Sequence, residues 1–359
     1  MHNSTSRARP WGALIALSGT LAMPALAQSS VTLYGIVDVS IERVEGIDNL
    51  TRLTSGNLSG SRLGFRGIED LGAGLKAKFT LESAIRADTG ANGGGSDRFW
   101  DRQAWVGLSS DLGELRLGRT DSSLALVTDM IGTQAYDDLT IVGTRGANSY
   151  RRMDNTITYL LPAVLPGLTG QLQYSLANSG FSSTGVLTST SPGTETSVDN
   201  AGKVWSANLA YSAGPFAAAL GYLDAADESR ALAGKQRARA AMGLASWDFG
   251  GAKITGYYNT ETNFGPERLS TWGAKVGVPI GAFTLTGGVS HTDGTTIPDN
   301  DDDAVWIYSL KGVYAMSKRT SLYAWYDYID NDTLASKGIV TTAAGQSGQG
   351  LAIGVRHLF

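Results

Sequence analysis

The chain has 359 residues, 42% of them hydrophobic and 17% charged, with 46 Gly, 9 Pro and no Cys. Low charge with high glycine content argues against a disordered or coiled-coil chain, and a net charge of −4 gives no support to nucleic-acid binding. Zero Cys excludes disulfides, Cys–Zn sites and thiol catalysis, and three His in all, one of them His2, leave little for His-based metal or triad chemistry.

Residues 1–27 read as an export signal. Arg7 and Arg9 form the positive start, Trp11–Met23 supply about 13 mostly apolar residues, and Ala25-Leu26-Ala27 is an A-x-A cleavage site. The apolar run falls short of the roughly 20 residues that a bilayer helix needs, so a membrane anchor is the weaker reading. The mature chain, 28–359, then carries a net charge of −6 once Arg7 and Arg9 are lost from −4. No later stretch has the length and apolarity of a membrane helix. A soluble exported protein remains, or a membrane β-barrel, which hydropathy windows miss.

Period-2 alternation then runs through the whole mature chain. Val31, Leu33, Val37, Val39 and Ile41 share one face of the first strand, Val31–Val44, and Asp38, Ser40 and Glu42 the other. In Lys76–Ile85, Ala77, Phe79 and Leu81 oppose Lys76, Lys78, Thr80 and Glu82; farther on, Phe283, Leu285 and Val289 oppose Thr284, Thr286 and Ser290. Such strands have one apolar and one wet face. Alternation is blurred in 238–248, 252–262 and 320–328, whose faces stay unassigned.

Connection lengths say more than any one strand. Seven short turns (Asp70–Gly74, Ser110–Gly113, Leu161–Gly167, Ser212–Pro215, Asp248–Gly251, Pro279–Ala282, Met316–Arg319) alternate with eight long polar stretches (45–61, 88–98, 120–151, 176–202, 225–237, 262–268, 292–301, 330–347). That rhythm predicts an all-β, sixteen-stranded antiparallel transmembrane barrel with short periplasmic turns and long outer loops, in a single domain. Tyr159, Tyr211, Phe216, Phe249, Phe283 and Tyr314 each lie within about four residues of a short turn, where an interfacial aromatic girdle would sit. The last strand, Leu351–Phe359, runs to the final residue.

Several segments resemble the general porins of Gram-negative outer membranes, in their betaproteobacterial branch. They are Ser30-Val31-Thr32-Leu33-Tyr34-Gly35, Ser61–Gly72 (SRLGFRGIEDLG), Arg102–Leu108 (RQAWVGL), Gly113–Arg119 (GELRLGR), Asp154–Tyr159 (DNTITY) and the ending Gly354–Phe359 (GVRHLF). The resemblance implies a homotrimer in the outer membrane, each barrel a water-filled pore for passive diffusion of small hydrophilic solutes and ions. It also implies a third loop, here 120–151, folded inward as the constriction, and a carboxyl-terminal signal ending in Phe359 that the barrel-assembly machinery reads. No cofactor or metal is implied.

Strand phase nominates the charges that face the lumen. Leu63 and Phe65 facing lipid turn Arg62 and Arg66 inward, and Phe79 and Leu81 outward turn Lys78 and Glu82 inward. Trp105 facing lipid would turn Arg102 inward, and Ile157 with Tyr159 outward would turn Arg152, not Arg151, inward. In the family that this chain resembles, basic residues of the early strands oppose acids of the inward loop; Arg62, Arg102 and Arg152 match those positions. Asp121, Asp129, Asp137 and Asp138 are the acids available in the loop. Charged rings of this kind set selectivity in channels; the competing reading, a solvated wall charge, is weakest for Arg62, Arg102 and Arg152 and strongest for any single loop Asp.

Other signals are weaker. Asp299-Asn300-Asp301-Asp302-Asp303 lacks the Gly and distal Glu of a calcium loop and reads as an outer loop, at most bridged by divalent cations to lipopolysaccharide phosphates. Gly90–Gly95 opens no helix and has no Lys-Ser/Thr, so it is no phosphate loop. His291 and His357 lie in different strands, and no catalytic pair emerges. A solute-selective channel of the same class is the main alternative, and a membrane-barrel hydrolase a distant one.

Overall fold

The fold is taken from a computed structural model, described in residues 29–93, 98–131, 151–176, 201–227, 236–262, 268–293, 303–333 and 343–359. The signal segment 1–27 lies outside these residues, as do Asp137, Asp138 and most of the loop 120–151. In chain order the elements are β1 (Ser30–Glu45), β2 (Leu50–Ser55), β3 (Arg62–Gly72), β4 (Leu75–Ala84), β5 (Gln103–Ser110), β6 (Gly113–Asp121), α1 (Ser123–Met130), β7 (Arg152–Leu160) and β8 (Leu168–Ser175). There follow β9 (Ala201–Ala213), β10 (Phe216–Asp227), β11 (Gln236–Asp248), β12 (Lys253–Thr262), β13 (Arg268–Ile280), β14 (Phe283–Asp293), β15 (Val305–Ala315), β16 (Thr320–Asn331) and β17 (Gly348–Leu358).

Consecutive strands from β3 to β17 pair antiparallel, and β1 closes the ring on β17 from Ile36↔Leu358 to Glu45↔Gln349. Closure matters because an open edge in hydrocarbon would leave unsolvated N–H and C=O groups. The sixteen-strand barrel and its turn rhythm are those predicted, with one addition. The first long stretch, 45–61, contains the short strand β2, which pairs back on β1 from Val44↔Leu50 to Val39↔Ser55. Farther along the same edge of β1 comes β3, from Ile36↔Arg62 to Ser30↔Ile68, so β2 and β3 together fill one barrel position.

The outward face is apolar: Val31, Leu33, Ile41, Val106, Leu172, Leu220 and Ile353 are all more than half exposed. Tyr159, Tyr211, Phe216, Phe249 and Tyr314 are exposed beside the short turns, as a girdle requires. The opposite face carries Asp38, Ser40 and Glu42 of β1 and Gln171 and Gln173 of β8, all buried.

Two pieces of chain cover that inner face. The first is α1, capped by Ser122, whose hydroxyl accepts from the Ala125 N–H at 3.0 Å. Its Leu124 and Val127, with Ile131 just beyond, pack on Val204 of β9, Ala219 and Leu223 of β10, and Met242 and Leu244 of β11. These wall residues lie on the side away from exposed Leu220 and Tyr222. At its start, Gln171 Nε2 donates to Ser123 Oγ at 3.1 Å and Asn208 Nδ2 to the Ser123 carbonyl at 3.0 Å.

The second piece is Gly56–Ser61, between β2 and β3. Gly56 enters it with φ +91°, a left-handed conformation suited to glycine. Leu58 packs on Tyr323 and Trp325 of β16 and Ala352 of β17, all buried, while Leu322, Tyr326 and Ile353 of these strands are exposed on the outer face. The fully buried carboxylate of Asp38 accepts from the backbone N–H groups of Leu58 (2.9 Å) and Ser59 (2.6 Å) and from the Tyr323 hydroxyl (2.6 Å). Hydrogen bonds to a charged group contribute about 1.5–3 kcal/mol each. Asp38→Ala is therefore expected to release the segment, with amide exchange at Leu58 and Ser59 about 100-fold faster, roughly 2.8 kcal/mol. Unchanged protection of both amides would show that something other than Asp38 holds it.

Candidate functional site: charges on the inner wall

A connected set of ion pairs lines the inner wall on β3–β7. Arg102, just before β5, donates through Nε to Glu82 Oε1 of β4 at 2.5 Å, and Arg62 Nη1 of β3 lies 3.9 Å from the same oxygen, an ion pair without a hydrogen bond. Tyr34 Oη of β1 donates to Glu82 Oε2 at 2.9 Å, so each oxygen of this nearly buried carboxylate is engaged. Arg62 Nε also donates to the Gly60 carbonyl at 2.8 Å, tying the arginine to the inward segment. Arg66 lies with its guanidinium carbon 5.3 Å from the Tyr34 ring centroid, and among the described residues it has no carboxylate partner.

Arg152 Nε faces Asp121 Oδ1 at 3.2 Å, and Asp121 Oδ2 accepts from Gln103 Nε2 at 3.2 Å. Arg151 donates to Asp129 of α1 at 2.6 Å. Arg62 and Arg152 each lie close enough to Arg102 and Arg151 for electrostatic repulsion, which Glu82 and Asp121 offset at Arg62 and Asp121 at Arg152. Nearer the short turns, Glu114 of β6 accepts from Lys78 Nζ at 2.7 Å and from Arg116 Nε at 2.5 Å.

Two phase arguments need correction. Trp105 does not face lipid: it is 8% exposed with the Arg116 guanidinium 4.2 Å from its ring, whereas Val106 and Leu108 are 58% and 48% exposed. Arg102 meets Glu82 because it precedes the strand, not because of strand parity. Counting from Ile157 to Arg152 also fails, since Asn155 (φ +53°) and Gly118 (φ +132°) flank a register shift between β6 and β7. Beyond it Met153, not Asp154, packs inside against α1, and Arg151 reaches that helix.

Tyr34, Glu114, Arg116 and Arg151 were not nominated from the sequence. For Glu114 and Arg116 the signal was present, since they alternate with Leu115 and Leu117, which are exposed on the outer face. A further cluster joins the second long loop to the wall: Asp154 accepts from Arg98 at 3.0 and 2.9 Å and from Arg119 at 2.6 Å, and Arg119 Nε donates to the Asp101 carbonyl at 2.6 Å. Among the described residues no group of His, Asp and Glu has a metal-holding arrangement. His291 packs against both Trp272 and Trp306, which also touch each other, and His357 Nδ1 meets Thr320 Oγ1 at 2.9 Å.

A Gram-negative porin family model matches residues 13–334. Outer membrane porin protein 32 of Delftia acidovorans is 31% identical, covering 97% of this chain and 98% of its own length. An outer membrane porin of Bordetella pertussis is 29% identical over 96% of this chain and 98% of its own. Among solved structures, an anion-selective porin from Comamonas acidovorans superposes with a TM-score of 0.76 at 26% identity, covering 92% of this chain and all of that one. With the closed barrel and its polar inner wall, these matches make the chain a member of the Gram-negative porin family, a channel of the outer membrane and not an enzyme.

Proposed function

We propose that this porin passes small hydrophilic solutes and ions by passive diffusion and prefers anions. The observation that carries the preference is that two guanidinium groups, Arg62 and Arg102, share the single carboxylate of Glu82. Arg66 adds a positive charge with no carboxylate partner among the described residues. The pairs Arg152–Asp121 and Arg151–Asp129 are balanced one to one and add no net charge. The resulting positive potential lowers the barrier for anions and raises it for cations. A similar solved porin is named as anion-selective, which agrees with this reading.

On the same reading the third loop, of which α1 is the described part, narrows the lumen beside these charges. Residues 1–27 are cleaved on export, the barrels assemble as homotrimers, and the outer loops meet lipopolysaccharide. Zero-current potentials across a potassium chloride gradient test the preference. Chloride should be at least about fivefold more permeant than potassium at low salt, equivalent to roughly 1 kcal/mol. A potential of the sign set by potassium would overturn the proposal.

A further inference from the structure

The arrangement around Glu82 occurs a second time in the barrel, nearer the short turns. Arg62–Glu82–Arg102 is one carboxylate between two cations, and Lys78–Glu114–Arg116 is another. Both include a residue of β4, and Glu82 and Lys78, four residues apart on that strand, are separated by about 13 Å along it. Lys78, Gly107 and Arg116 are successive partners across β4, β5 and β6. Gly107 lets the backbones of β5 and β6 approach closely in the middle of that line, since a Cβ there would stand 2.5 Å from the Leu115 carbonyl oxygen and 3.3 Å from Arg116 Cγ. Trp105 supports the guanidinium face from one side. Glu114 bonds Arg116 through Nε, and both Nη groups are left without a partner among the described residues. The side chains of Lys78 and Arg116 are each 25% exposed, whereas Arg102 is 12% exposed.

We infer that Lys78, Glu114 and Arg116 form a second anion station at the periplasmic mouth, for small oxyanions that accept two N–H bonds from the Arg116 fork and one from Lys78. A guanidinium with its Nη groups open suits a bidentate oxyanion, and an ammonium beside it adds a point charge. Glu114 acts as a tethered competitor. It already holds both cations, so an arriving anion gains only part of their attraction and leaves again quickly. Conduction needs that balance: binding strong enough to enter, weak enough to exit, repeated at successive sites. With Arg66 near the Tyr34 ring between the two levels, an anion leaving Glu82's arginines passes a further cation before reaching this station.

This inference rests on the anion preference proposed above. Its test is sulfate, a dianion at all working pH, added on the turn side of single channels carrying chloride current. In the parent, sulfate should cause brief interruptions. Glu114→Gln removes the competitor at constant shape, and the interruptions should lengthen about fivefold or more. Lys78→Gln should shorten them below the parent value, in a barrel whose chloride conductance shows that it has folded. Glu114→Gln with sulfate dwell times equal to or shorter than the parent's, while the parent prefers chloride, would overturn the second station alone. A parent that prefers potassium would instead overturn the reading on which it rests.

Discussion

Replacing Arg62 and Arg102 together with alanine is expected to invert the ion preference of the channel. Among the described residues the double variant leaves Glu82, 4% exposed, held only by the Tyr34 hydroxyl, so the net charge of the group falls from +1 to −1. A unit charge about 5 Å from a permeating ion acts with about 1–3 kcal/mol at effective dielectric constants between those of water and a protein surface. One such charge changes a permeability ratio about 5- to 100-fold, and two are enough to cross unity from a modest anion preference. Removing Arg152 alone should act in the same direction more weakly, because it uncovers Asp121 without disturbing the Glu82 group. Zero-current potentials at low salt are the measurement, since the Debye length is about 10 Å at 0.1 M and about 3 Å at 1 M, where the shift should shrink. Potentials of the double variant that match the parent's at low ionic strength would show that these arginines are not the filter. The barrel should keep its heat stability, because the wall hydrogen bonds between β3, β4 and β5 do not involve either side chain.

The barrel was legible because the bilayer imposes its pattern on every strand: Val31, Leu33, Val37 and Ile41 face lipid, and Asp38, Ser40 and Glu42 do not. Blurred alternation in 238–248, 252–262 and 320–328 has a common cause. Met242, Leu244 and Tyr257 are apolar on the inner face because they belong to the cluster that α1 covers, and Tyr323 and Trp325 because Leu58 covers them. A strand apolar on both faces in a water-filled barrel was thus the sequence signature of chain folded inside. It pointed to the inward segment at Gly56–Ser61, which the reading of 45–61 as an outer loop missed. The charged cluster was legible where the alternation was clean, as for Arg62, Arg66, Lys78 and Glu82. It failed where a small or aromatic residue confused parity, as Trp105 and Gly107 do in β5, and where an extra residue shifted the register at Gly118 and Asn155. A bulge inverts every face beyond it, and only the pairing itself reveals which.

Deleting Phe359 is expected to cut the amount of assembled barrel in the outer membrane about tenfold or more. Two separate physical effects combine there. Phe359 exchanges both backbone bonds with Gly35, N–H to O and O to H–N at 3.1 Å each, as the last rung of the seam that closes β17 on β1. Its loss leaves Gly35 with an unpaired N–H and C=O at the membrane edge, where each unsatisfied group costs more than in water. The ring itself is 43% exposed at the periplasmic rim, where an assembly factor could read it. Phe359→Ala separates the two contributions, since it keeps the seam and removes the ring. If the ring is the signal, both variants should be depleted from the outer-membrane fraction, and Phe359→Trp should restore normal levels. If only the seam matters, Phe359→Ala should assemble like the parent while the deletion does not. Parent-like levels of the deletion variant would mean that neither the ring nor the final rung is needed to close this barrel.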